Sequence, residues 1–93
     1  MSARVTFSLG QVVATPGALN VFADAEEEYL PYLMRHARGD WGTVSPEDAQ
    51  ANDDALRGGE RLLSAYRLPD GTKIWIVTEA DRSSTCILLP EDY

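Results

Sequence analysis

The sequence predicts a single α+β domain over residues 1–93: an N-terminal strand, three short helices, then a C-terminal three-stranded antiparallel meander with the helices packed on one face. Two patterns and one bulk property point there. The last third holds short apolar runs rich in β-formers, separated by turn residues. The middle holds segments with a proline at or near their start and apolar residues spaced three and four apart. A composition of 44% apolar and 25% charged residues suits one modest globular core rather than a disordered chain.

Taken in order, "RVTFSL" (residues 4–9) alternates Val5, Phe7 and Leu9 on one side and reads as the first strand, with Gly10 breaking or bulging it before "QVVAT". "TPGAL" opens the first helix. Thr15 caps it and Pro16 takes the first helical position, where a missing N–H costs nothing. Leu19 and Phe22 both face inward on this reading, and "ADAEEE" ends the helix. The second helix spans Tyr29 to Arg38, with Pro31 confined to its first turn. Its core-facing stripe is Tyr29, Leu33 and Ala37, flanked by Leu30 and Met34. Glu26, Glu27 and Glu28 sit at the positive end of its dipole and Arg35 and Arg38 at the negative end, and Gly39 stops it.

"SPEDAQANDDALRGG" is the third helix: Ser45 caps, Pro46 follows, Asp48 completes a box-like pair with the cap, and Gly58 and Gly59 terminate it. Its apolar side is thin, Ala49 and Leu56 with help from Ala55, which makes it a surface helix. The strands of the meander are "RLLSAYRL", "TKIWIVTE" and "STCILLP". "PDG" turns the chain between the first two, because proline presets φ and glycine supplies a positive φ. "ADRSS" joins the second and third over a loop too short for anything but antiparallel neighbours. In the central strand Ile74 and Ile76 point one way and Trp75 and Val77 the other, so both faces are apolar.

The formal net charge is −7, and residues 24–60 account for all of it: ten acidic side chains against three basic ones, while the flanks cancel. Such a balance disfavours direct nucleic-acid binding, which needs clustered lysine and arginine, and favours a basic protein surface as partner. The plainer reading of the charge is a solvated face kept acidic for solubility. Imitation of DNA would require a ladder of carboxylates. Glu47 and Asp54, seven residues apart on one helix, would stand about 10 Å apart and do not make one by themselves. No apolar run is long enough for a membrane span, and "MSARVTFSLG" lacks the apolar stretch of a signal peptide. The lone Cys86, within "TCILL", reads as a small buried hydrophobe in a reducing, cytoplasmic setting.

The densest cluster of reactive residue types is "RHARGDWG", residues 35–42. His36 could serve as a base oriented by Asp40, but Gly39 ends the helix between them, and no serine stands in a nucleophile-elbow context. One histidine and scattered carboxylates give no metal spacing, and "GDWG" is no phosphate loop, so no cofactor is expected. The plain reading places His36 at a helix end and folds Trp41 over the core edge. The functional reading makes Trp41, on its glycine-flanked turn, an anchor for a partner. Candidate partner contacts are then Trp41, Asp40, His36, Glu26, Glu27, Glu28, Glu47, Asp48, Asp53 and Asp54.

"LGQVVATPGAL", "RHARGDWG" and "RLLSAYRLPDGTKIWIVTEADRSSTCILLPEDY" together resemble a family of small uncharacterised proteins encoded on bacterial plasmids and other mobile elements. The match is dense over Arg61–Tyr93 and loose over Asn20–Glu28, where "EEEYLP" replaces the Ser-Pro pair that begins the second helix in that family. The resemblance implies no enzymatic activity and carries over no catalytic residue. By analogy, small acidic domains on such elements are frequently inhibitors of host defence, which gives the leading expectation: a non-enzymatic protein-binding module, anti-CRISPR or anti-restriction, acting on a host protein or complex with a basic surface. The alternatives are an accessory protein in plasmid maintenance or conjugation, and a small enzyme using His36.

Overall fold

A computed structural model describes residues 7–93, so Val5 and the first half of the expected first strand lie outside the described residues. Within them, Phe7–Leu9 is not a strand. The first strand, β1, is Gln11–Ala14, which places it one segment later than the alternation suggested. Helices α1 (Pro16–Asp24), α2 (Leu30–Ala37) and α3 (Pro46–Gly58) follow, then β2 (Leu62–Arg67), β3 (Lys73–Thr78), β4 (Ser84–Leu88) and a 3-10 turn over Pro90–Asp92. The class is α+β, with three helices and four strands among the described residues.

The last three strands pair antiparallel, Leu62 opposite Thr78 and Ile76 opposite Ile87, as their short connections require. They do not form a sheet alone. β1 adds to β4 in parallel, Val12 beside Thr85 and Ala14 beside Ile87, giving a four-stranded mixed sheet of order β1-β4-β3-β2. A parallel neighbour needs a long connection, and here it runs through the three helices, β2 and β3.

One face of this sheet is the core. Tyr66, Ile74, Ile76 and Ile87 meet Ala18 and Phe22 of α1 and Leu33 of α2. A second cluster, Trp41, Ala55 and Leu62, lies under α3 with Phe7 packed against it. On the far face Tyr93 closes edge-on over Trp75, ring centroids 5.5 Å apart. Thr15 and Ser45 cap α1 and α3 as expected, their hydroxyls accepting the amides of Ala18 and Asp48 at 3.1 Å. Three expected core residues are exposed instead: Leu19 on α1, Tyr29 at the start of α2 and Leu30 on α2. No helix among the described residues is long and apolar enough to cross a membrane.

The outer edge of β2 is closed by two separate devices. The Asn52 side chain, buried on α3, accepts the Leu63 amide at 3.1 Å and donates to the Leu63 carbonyl at 2.8 Å, taking the place of a neighbouring strand. Two residues on, the Ala65 amide donates to the Trp41 carbonyl and the Thr43 amide donates to the Ala65 carbonyl. Gly42 makes that approach possible, because a Cβ there would run into the Ala65 carbonyl.

Candidate functional site

The segment "RHARGDWG" is a helix terminus in which His36, Ala37 and Trp41 point inward, Arg35 and Asp40 are half-buried and Arg38 is exposed. Gly39, at φ +87°, takes the left-handed position after α2. The Asp40 amide donates to the Arg35 carbonyl and the Gly39 amide to the His36 carbonyl, the paired bonds of a Schellman ending. The Arg35 guanidinium then grips the Asp40 carboxylate at 2.7 Å, and that contact holds the carboxyl below its usual range. Asp40 therefore orients Arg35 and, through its main chain, the Tyr66 hydroxyl, which donates to the Asp40 carbonyl. It does not orient His36. Trp41 is buried, stacked near Phe7 and donating its indole N–H to Asp53 at 3.0 Å.

His36 is fully buried and satisfied at both nitrogens: Nδ1 lies 2.6 Å from Ser64 Oγ and Nε2 2.9 Å from Thr78 Oγ1. Thr78 in turn lies 2.7 Å from the Thr85 hydroxyl, which donates to the Leu9 carbonyl. Counting protons from that end fixes every direction. A carbonyl only accepts, so Thr85 donates to Leu9. Thr78 must then donate to Thr85 and accept the His36 Nε2–H, which leaves Nδ1 to accept the Ser64 proton. Burial lowers the ring's pKa to about 4, so it is neutral at physiological pH, as this order requires. Ser64 and His36 thus sit at the distance of a nucleophile and its base, but neither has any solvent exposure and the third partner is a threonine rather than a carboxylate. The arrangement is a polar brace joining α2 to β2, β3 and the segment before β1. Among the described residues no group of three or more His, Cys, Asp or Glu is placed to hold a metal ion.

A concave surface lies elsewhere, between α1 and the start of α2. A cleft of about 380 Å³ is lined by Leu19, Phe22 and Ala23 on one side, Tyr29 and Leu30 on the other, and Glu27 and Glu28 on the connecting turn. Leu19 is 48%, Tyr29 44% and Leu30 56% exposed. The turn is a second Schellman ending: the Glu27 amide donates to the Phe22 carbonyl and the Glu26 amide to the Ala23 carbonyl. Its left-handed position, normally glycine, is Glu26 at φ 54°.

The sequence-predicted site residues therefore separate. His36 and Trp41 are interior, and Asp40 and Asp53 hold Arg35 and Trp41 in place. Glu26 and Glu28 are exposed, with Glu27 half-buried and accepting the Tyr32 hydroxyl. Glu47, Asp48 and Asp54 are exposed on α3, Asp54 bonded to Gln50 and Arg57. Leu19, Tyr29 and Leu30, the exposed large apolar residues of the cleft, carry no sequence signal of it, because helical periodicity assigns them to the core. No family model, curated protein or solved structure matches the chain.

Proposed function

We propose that the protein is a small, acidic, non-enzymatic binding module of the cytoplasm, whose α1–α2 cleft receives an apolar side chain of a partner protein while the carboxylates beside it meet the partner's lysines and arginines. The observation that supports this is the meeting of two surface features at one place. Single exposed apolar residues are ordinary, but Leu19, Tyr29 and Leu30 line one concavity with Glu27 and Glu28 at its edge. Carboxylates steer a basic surface into register and an apolar anchor slows its release. Glu26 adds to this: a glutamate occupies a backbone position where glycine is more stable, and its carboxylate makes no hydrogen bond or ion pair with a described residue. The resemblance to proteins of plasmids and other mobile elements directs the reading toward a host defence complex with a basic nucleic-acid channel, anti-CRISPR or anti-restriction in effect.

The test is a peptide-display screen against the immobilised protein, followed by kinetics of the selected peptides. The expected winners combine a Leu, Phe or Met anchor with adjacent Lys or Arg. Leu30→Glu should raise their off-rate, while joint Glu27→Lys and Glu28→Lys should lower their on-rate and its salt dependence. Winners that bind the Leu30→Glu protein as well as the parent would overturn the reading.

A further inference from the structure

The two edges of the sheet are treated differently, and the geometry points to a second copy of this chain as the occupant of the open one: β1 pairs antiparallel with β1 of a symmetry mate, joining two sheets into one. The Gln11 amide donates to the Ser83 carbonyl and the Thr15 amide to the Ile87 carbonyl, so the alternation of an extended chain directs Val13 inward as well. Val12 and Ala14 therefore present their amides and carbonyls outward, where no described strand pairs with them. β2 carries an asparagine clamp and a bridging segment on its outer edge; β1 carries no proline, no charge and no cover among the described residues. Val12 and Val13 are 39% and 42% exposed.

Charge identifies the occupant. The chain carries −7, yet residues 5–23 contain no charged side chain at all. Two such molecules repel across most approaches, and this stretch lets them meet without opposing carboxylates. Its charge pattern offers nothing to the basic partner that the α1–α2 cleft suits. An antiparallel pair of identical strands is self-complementary about a two-fold axis. With the axis at Val13, Val12 of each copy pairs with Ala14 of the other and the two Val13 side chains cover one another. Helix α1 follows β1 directly and packs on β4, so its uncharged residues extend the contact beyond the short ladder.

Sedimentation equilibrium over a concentration series, at low and high salt, tests this together with amide exchange by NMR. The expected mass rises from 10.2 kDa to twice that value, more readily at high salt because screening relieves the repulsion between copies. That direction is opposite to the one expected for a basic partner, so the two readings fail separately. Val12→Pro removes only an outward amide and Val13→Lys brings like charges together; both should remain at 10.2 kDa. In the unmodified protein the Val12 and Ala14 amides should exchange more slowly as concentration rises, while Gln11 and Val13 stay protected throughout. A mass that never leaves 10.2 kDa at high salt, variants that dimerise like the parent, or concentration-independent exchange at Val12 and Ala14 would each overturn the inference.

Discussion

Ser64 donates its hydroxyl proton to Nδ1 of His36 across 2.6 Å, and neither side chain has any solvent exposure. Protonation would reverse this bond, because a protonated Nδ1 is a donor and Ser64 would have to turn its hydroxyl and accept, while burial opposes the charge on the ring. The donor order of the brace from α2 to the sheet thus belongs to the neutral ring, the state that burial favours.

This gives the fold a defined acid weakness. Burial holds the folded-state pKa of His36 at about 4, against 6.5 for the free ring. The unfolded chain therefore takes up the proton first. Stability from the neutral ring is complete above pH 6.5 and is lost progressively as pH falls toward 4, by about 3 kcal/mol at the low end. Asp40, whose carboxyl is held down chiefly by Arg35, contributes a separate loss below the ordinary carboxylate pKa of 3.8. Urea denaturation at a series of pH values should show a falling midpoint across the histidine window. A flat midpoint there would contradict a buried neutral ring.

Thr78 is the hub of the same chain, accepting from His36 and donating to Thr85. Thr78→Val keeps the shape of the side chain and removes both bonds, leaving the His36 Nε2–H without an acceptor in the interior. The expected loss is about 2 kcal/mol by denaturation. Thr78→Ser should retain most of the stability, and nitrogen chemical shifts of His36 in the parent should report the Nε2–H tautomer.

Asn52 carries a different kind of prediction. Its two bonds to Leu63 stand in for a strand, so Asn52→Leu should both destabilise, by about 2 kcal/mol, and uncover a sheet edge. Faster aggregation on mild heating, measured by light scattering at matched fraction folded, is the expected signature. Loss of stability with unchanged aggregation would mean the clamp serves packing alone.

The elements themselves were legible because local chemistry dictates them: the Thr15 and Ser45 caps, the positive φ of Gly39 and the turn at Gly71 are where the residues require. The parallel docking of β1 on β4 was not, since nothing in "QVVAT" names its neighbour. Nor was the interior of "RHARGDWG". A histidine at a helix end looks like a surface cation, and only the serine and threonines arriving from β2, β3 and β4 make its burial tolerable. Asn52, on a helix with a thin apolar side, carries no signal of its role because its partner is backbone, and backbone has no sequence signature.

Glu26 offers the test in which stability and function should move in opposite directions. Two residues other than glycine hold a positive φ among the described residues, Glu26 at 54° and Arg82 at 60°. Arg82 has an evident structural reason: its guanidinium donates to the carbonyls of Ala55, Glu60, Glu79 and Ala80. Glu26 makes no comparable bonds, and its φ remains a strain of about 1 kcal/mol relative to glycine at the same position. Glu26→Gly should therefore stabilise the protein by about that amount, raising the urea midpoint without changing its slope. If the carboxylate is kept for a basic partner, the same variant should bind the cleft's selected peptides with a slower on-rate and a shallower salt dependence. Glu26→Gln separates the causes: it keeps the strain and removes the charge, so it should leave stability near the parent's and weaken binding as the glycine does. Gains in stability with binding unchanged in both variants would show that the residue plays no part in recognition.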